Sequence, residues 1–250
     1  MKILVIGESC VDRFVYGFVQ DRKCPEAPAF ILSPNEAIEN KGMAANTQAN
    51  VISLGIKCDI ITNSKKIVKE RFVETNSNYL LLRVDHNEGS IKRIKRKDIS
   101  AERISQYDAI IISDYNKGFL SEEDIEYICK NHKLTFLDTK KTLGNFCLAT
   151  TYININNFEY TKSQPVIDDA AFYEKLVITL GPKGCQHKDN IYPVEKTEVI
   201  DQVGAGDTFI AALAVKFLEN NQIDQSIEFA NFCATKAVKK KGVVAVKKES

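Results

Sequence analysis

The stretch VIDQVGAGDTFIAALAVKFL, Val199 to Leu218, decides how this chain is read. Gly204, Ala205 and Gly206 stand where a loop enters a helix, and the small apolar residues after them predict that helix to about Leu218. The first turn of a helix carries unpaired N–H groups and the positive end of the dipole. Where side chains are absent, an anion approaches those N–H groups closely. Asp207 falls in that first turn. As structure alone, it complements the dipole. As chemistry, a carboxylate beside an anion cradle takes a proton from a hydroxyl while the cradle holds a phosphoryl group.

Upstream, short apolar runs alternate with helical spacing. Strands are expected at Lys2–Ile6, Cys58–Thr62, Ala109–Ser113, Leu134–Leu137 and Lys175–Leu180. Met43–Leu54 reads as a helix stopped by Gly55. Ser121 reads as an N-cap with Asp124 at the third helical position, and Asp224–Lys239 as a second closing helix. Strands alternating with helices predict a parallel sheet covered on both faces. Two segments break the rhythm. Phe14–Ser33 mixes aromatics, charges and prolines, and Arg71–Val84 reads as two strands around a Thr75–Asn78 turn. Together they suggest a small β-sheet outside the main layer. The basic run Ile91–Lys97 reads as a solvated linker, with an anion-binding role as the alternative.

Composition narrows the function. A chain of 250 residues, 44% hydrophobic, fits one domain with a sizeable core. Its 34 basic and 33 acidic residues nearly cancel, which argues against a polybasic nucleic-acid binder. No apolar run approaches the length of a membrane helix, and MKILVIGES does not resemble a secretory leader. The seven cysteines are scattered without C-x-x-C, against a disulfide framework or zinc knuckle. These features predict a cytoplasmic protein with no nucleic-acid or membrane partner. Gly7–Asp12 reads GESCVD, so no dinucleotide-binding G-x-G-x-x-G follows the first strand.

D-x-x-G-A-G-D-T at Asp201–Thr208 resembles the signature of the ribokinase/PfkB carbohydrate kinases. GESCVDRFVYG (Gly7–Gly17), CPEAPAF (Cys24–Phe30), KGMAANTQANVISLG (Lys41–Gly55), SDYNKG (Ser113–Gly118) and LDTKK (Leu137–Lys141) are similar to the branch that phosphorylates D-glycero-D-manno-heptose 7-phosphate. The resemblance implies a three-layer α/β sandwich with a mostly parallel central sheet. It also implies a β-sheet lid, from segments of about 13–33 and 70–86 within a single 1–250 domain. It implies an ATP- and Mg2+-dependent kinase acting at the anomeric O1, with a possible potassium ion at Asp201, Val203 and Gly242. Asp207 is the implied base, and the N–H groups of Gly204, Ala205 and Gly206 the anion hole. Asn154, Asn231 and the T-x-G-x-x-G of Thr179, Gly181 and Gly184 are implied for the nucleotide. Asp12, Gly42, Asn46 and Lys117 are implied for the sugar. Arg22 and Lys23 are expected to hold a substrate phosphate, and the lid aromatics either to support a homodimer or to pack onto the substrate or within the lid.

Four departures stand out. Asp59–Arg71 is short. Asn157 stands where the family's N-x-x-E has Glu, Met43 replaces a Gly, and Thr139 replaces a Pro. They keep two alternatives open: a kinase of the same fold for another sugar, or a silent nucleotide- or sugar-binding homologue.

Overall fold

Successive residues of a strand face opposite sides of a sheet, and the buried strands of this chain use both sides. The computed structural model describes residues 1–22 and 24–240. The chain runs β1 (Lys2–Gly7), β2 (Ser9–Val19), β3 (Leu32–Met43), α1 (Ala44–Ser53), β4 (Lys57–Ile61), β5 (Ile67–Glu74) and β6 (Leu80–His86). It continues through α2 (Ala101–Ile104), β7 (Ala109–Asp114), α3 (Glu122–Asn131), β8 (Thr135–Thr139), β9 (Tyr152–Asn156), α4 (Asn157–Ser163) and α5 (Asp169–Phe172). It ends with β10 (Leu176–Thr179), β11 (Cys185–His187), β12 (Asn190–Tyr192), α6 (Ala205–Asn220) and α7 (Ile223–Val238).

The main sheet has eight strands in the order β12-β11-β10-β9-β8-β7-β1-β4. Pairing is parallel from β4 to β10 and antiparallel through β11 and β12. Ile3, Val5, Ala109, Ile111, Phe136 and Val177 face α1, α6 and α7. Leu4, Ile6, Ile110, Ile112, Leu137 and Ile153 face the other side, against Ile125, Ile128, Phe146 and Phe172. This is the expected three-layer sandwich. Helix α6 is apolar almost all round because it lies between the sheet, α1 and α7. At α3, Ser121 Oγ accepts the Asp124 N–H at 3.2 Å and Asp124 Oδ2 accepts the Ser121 N–H at 3.1 Å, a reciprocal cap.

The second sheet has the order β3-β2-β5-β6 and draws on more of the chain than segments 13–33 and 70–86. Strand β3 was not expected. LSPNEAIENK has little β-branching and contains Pro34. It is an edge strand, and Pro34 lies opposite Gly17 where the register shifts, which is where a sheet tolerates proline. Residues 20–22 and 24–31 belong to the connector rather than to the sheet.

The basic run is also corrected. Ile94 is buried, Arg93 Nε donates to Asp124 Oδ2 at 2.8 Å, and Arg96 lies 3.4 Å from Asp124 Oδ1. The run straps the start of α3 rather than standing free in water.

Candidate active site

The C-terminal ends of β1, β7, β8 and β9 meet the start of α6 and the inner face of the second sheet, the edge where ligands bind in open α/β sheets. Gly204 has φ 81, a left-handed N-cap conformation that suits glycine. Asp207 follows in the first turn, 4% exposed. Three side chains donate to its carboxylate: Tyr115 Oη to Oδ1 at 2.7 Å, Asn46 Nδ2 to Oδ2 at 3.0 Å and Thr47 Oγ1 to Oδ1 at 3.4 Å. Asn50 Nδ2 donates to Asn46 Oδ1 at 3.0 Å, which turns the Asn46 amide nitrogen toward Asp207. Burial pushes the Asp207 carboxyl up to about 7, against the opposing hydrogen bonds from Asn46 and Tyr115. Burial, with Asp207 and Asp138 nearby, raises the Tyr115 phenol well above its usual range, so it stays a donor.

Glu8 holds Tyr115 in place. Its wholly buried carboxylate accepts the N–H groups of Tyr115 at 2.8 Å, Lys117 at 2.9 Å and Phe119 at 3.1 Å. The 115–119 loop is therefore folded around one carboxylate.

A cavity of about 960 Å³ opens beside Asp207. Gly204, Ala205, Gly206, Asn154, Thr179, Gly181, Gly184 and Asn231 all line it, so the residues expected for the nucleotide come together. Asn231 Nδ2 also donates to the Tyr192 carbonyl at 2.9 Å. The Ala205 N–H turns back to the Gln202 carbonyl at 3.3 Å, so the deeper N–H groups of Gly206 and Asp207 are better placed for an anion. Lys140 projects into the cavity between Asp138 at 3.1 Å and Glu159 at 2.8 Å. Burial lowers its pKa, but the two carboxylates outweigh it and hold the ammonium above the ordinary lysine range. Asn154 Nδ2 donates to Asp138 Oδ2 at 3.3 Å, while its buried Oδ1 has no hydrogen-bond partner.

Asn157 does not take the place of the expected Glu. It is exposed at the start of α4 and does not line the cavity. Glu159 does. Asn156 caps α4 by accepting the Glu159 N–H at 2.8 Å, and the returning Glu159 side chain meets Lys140. The Asn156-x-x-Glu159 spacing was the readable signal for this cap.

Of the residues expected for the sugar, Asp12 is 4% exposed and forms an ion pair with Arg71. A Cβ on Gly42 would lie 2.1 Å from Asp12 Oδ2 and 2.6 Å from Cys10 Sγ, so no side chain fits there. Met43 has φ 60 and is 3% exposed, packed with Cys10 and Ile67. It fills the space the expected Gly would leave open. Lys117 Nζ donates to Glu88 Oε2 at 2.7 Å. Arg22 is exposed on the 20–31 connector and donates to Gln20 at 2.8 Å. Seven residues of strand, about 23 Å, separate Asp12 from the end of β2 before that connector begins. Arg22 therefore does not reach the site. Lys23 and Gly242 lie outside the described residues. Asp201 Oδ1 accepts the Val203 N–H at 2.9 Å. Sequence reasoning missed Glu8, Tyr115, Lys140 and Glu159 as site residues. Phe14 and Tyr16 pack with Val73 within the lid, one of the roles open to the lid aromatics, while Phe18 and Tyr79 are exposed.

A family model described as "pfkB family carbohydrate kinase" matches residues 66–249. The chain belongs to the pfkB family of carbohydrate kinases. The matched region carries Tyr115, Lys140, the T-x-G-x-x-G turn and Asp207, while β1–β3 and α1 of this pfkB-family chain add Asp12, Gly42 and Asn46. Curated relatives include "Bifunctional protein HldE" of Helicobacter acinonychis, 30% identical over 295 positions, covering 96% of this chain and 63% of that one. HldE of Helicobacter pylori strain G27 is 28% identical with the same coverage. The chain thus spans 63% of the length of these relatives. The alignment is longer than the chain, so the relatives have stretches with no counterpart here. Among solved structures, Thermotoga maritima ribokinase has a TM-score of 0.72 at 17% identity, covering 96% of this chain and 94% of that one. Escherichia coli phosphofructokinase-2, solved with potassium, has a TM-score of 0.73 at 13% identity, covering 98% and 95%. These establish the ribokinase-like fold of the pfkB-family chain.

Proposed function

We propose that this pfkB-family chain transfers the γ-phosphoryl group of ATP to a sugar hydroxyl. The preferred acceptor is O1 of D-glycero-D-manno-heptose 7-phosphate. The heptose assignment is supported by the DRFVYG, PEAP and SDYNKG segments and by the relatives named HldE. The observation that carries the chemistry is Asp207. It is a buried carboxylate at a helix N-terminus, opening on the cavity, with its pKa raised to about 7. Such a group accepts a proton at neutral pH, where an ordinary carboxylate is too weak a base.

In this reading Asp12 accepts hydrogen bonds from sugar hydroxyls and Gly42 lets the sugar approach. The acceptor hydroxyl gives its proton to Asp207 as its oxygen bonds to phosphorus. The bond from phosphorus to the bridging oxygen breaks, and ADP leaves. The N–H groups at the start of α6 and the Lys140 ammonium stabilise charge on the transferring group. Tyr115 and Asn46 orient the base. The unpartnered Asn154 Oδ1, with the Lys140-paired carboxylates of Asp138 and Glu159 beside it, would supply the oxygen donors for Mg2+. Bound there, it would neutralise phosphate charge. A potassium ion at Asp201 and Val203 and a homodimer through the lid belong to the same proposal. The cytoplasm as its setting accords with the free thiols of all seven cysteines.

The test is ADP release with Mg-ATP and K+ over a panel of the heptose 7-phosphate, ribose, fructose and fructose 6-phosphate. Wild type should turn over the heptose phosphate, and Asp207→Asn should lose about 10²–10⁴-fold. Turnover on another sugar alone would reject the heptose assignment. Full activity of Asp207→Asn would reject the base. ATP binding without turnover on any sugar would reject the kinase reading.

A further inference from the structure

The parallel pair β7–β8 ends in a buried ionic knot. A strand alternates its side chains, so Asp114 follows Ile110 and Ile112, and Thr139 follows Leu137, onto the sheet face away from α6. The two stand opposite each other in register. The Asp114 side chain is wholly buried, and the Lys141 ammonium donates to both of its oxygens at 2.9 Å. Thr139 Oγ1 donates to Asp114 Oδ2 and accepts the Lys141 N–H at 3.1 Å. The Asp114 carbonyl accepts the Lys140 N–H at 2.9 Å. Asp114 Oδ1 also accepts the Asn116 N–H at 3.2 Å.

Most of these bonds fall on Thr139, on Lys141 and on the backbone of Lys140 between them. With Thr139 and Lys141 tied down on one side of the sheet, the Lys140 side chain is left to the other, where it enters the cavity. Its ammonium lies 5.6 Å from the centroid of the Tyr115 ring, whose hydroxyl meets Asp207. A lysine stem is long and flexible, so its ammonium returns to one place only if the backbone beneath it is fixed. The knot is weak evidence for stability, because apolar residues of similar volume often do as well as a buried ion pair. Its directional bonds instead specify one arrangement of the turn. Thr139 also stands where the family carries proline. A proline ring fixes φ by itself; here side-chain bonds do the holding.

We propose that Thr139, Lys141 and Asp114 are positioning residues for Lys140, clamping the 139–141 turn so that the Lys140 ammonium meets the transferring phosphoryl group. This rests on the kinase reading above, which places Lys140 beside that group. The 115–119 loop has its own anchor in Glu8, so loss of the Thr139 hydroxyl falls on the Lys140 turn.

Thr139→Val removes that hydroxyl while keeping the size of the side chain and the Lys141–Asp114 pair. The test compares it with Thr139→Ser, Lys140→Met and the Thr139→Val, Lys140→Met double variant in the full chain. One readout is steady-state kinetics on the sugar panel; the other is calorimetric titration of Mg-ATP and Mg-ADP without sugar. Thr139→Val should lower kcat about tenfold or more and the ATP-to-ADP affinity ratio several-fold, and Thr139→Ser should retain both. In the Lys140→Met background, Thr139→Val should cost nothing further in either readout, because the residue it positions is gone. A merely structural role would give the same loss with or without Lys140. Thr139→Val equal to wild type, Thr139→Ser as impaired as Thr139→Val, or losses that add in the double variant would overturn the clamp. A wild type that turns over no sugar would reject the kinase reading, while the affinity ratios would still decide the clamp.

Discussion

Replacing Tyr115 by Phe removes one hydroxyl and leaves the ring that shields Asp207. The lost bond is a 2.7 Å donation to a carboxylate that is 4% exposed, and the retained ring keeps water from substituting for it. A hydrogen bond to a charged group contributes about 1.5–3 kcal/mol. At 1.36 kcal/mol per pKa unit, that corresponds to about one to two units. The Asp207 carboxyl, already raised to about 7 by burial, should rise further, because the bond removed favoured its ionised form. The ionised fraction at pH 7 would fall from about half to about a tenth or less. The assay is kcat/KM for the sugar across pH 5.5 to 9.5 at saturating Mg-ATP. The acidic limb should move up by about one to two units in Tyr115→Phe, with activity recovering toward wild type at high pH. A limb that stays in place, moves down, or gives way to an equal loss at every pH would refute the reasoning.

Three further outcomes follow from the same geometry. Glu8→Gln should lower unfolding stability by about 2–4 kcal/mol, because an amide cannot accept all three N–H groups of the 115–119 loop; urea midpoints within error of wild type would count against it. Gly42→Ala should displace Asp12, since its Cβ would stand 2.1 Å from that carboxylate, and should raise the sugar KM far more than the ATP KM; equal effects would place Asp12 outside the sugar site. Asp207 has a folded pKa of about 7 against an ordinary 3.8, so its contribution is present below about pH 4 and is lost as pH rises to about 7. The stability of Asp207→Asn relative to wild type should therefore climb across that window, by up to about 1.4 kcal/mol per pH unit, and a flat difference would reject the raised pKa.

The legible parts of this protein are those set by neighbours in the chain. The first-turn position of Asp207, the Ser121–Asp124 cap and the apolar strands depend on spacing along a few residues. The residues expected for the nucleotide, Asn154, Thr179, Gly181, Gly184 and Asn231, were picked out through family segments, and they meet in one cavity. Glu159 was within reach, because Asn156-x-x-Glu159 is itself a helix-cap spacing. Strand β3 was not, because its polar, proline-containing sequence is held by pairing with β2 rather than by its own preference.

The sequence by itself determined which residues could carry chemistry and on which local element each would sit. The alternation in β5 already puts Lys69 and Arg71 on one side of a strand. It does not say whether that side faces water or the site. Only the docking of the lid over the main sheet decides that, and with it the pairing of Glu88 with Lys69 and Lys117. Likewise, Glu8, Asn46, Tyr115 and Asp207 lie as much as 199 residues apart, yet form one hydrogen-bonded group. Desolvation raises the Asp207 pKa, and desolvation is a property of everything packed around a side chain. No local stretch of sequence contains it.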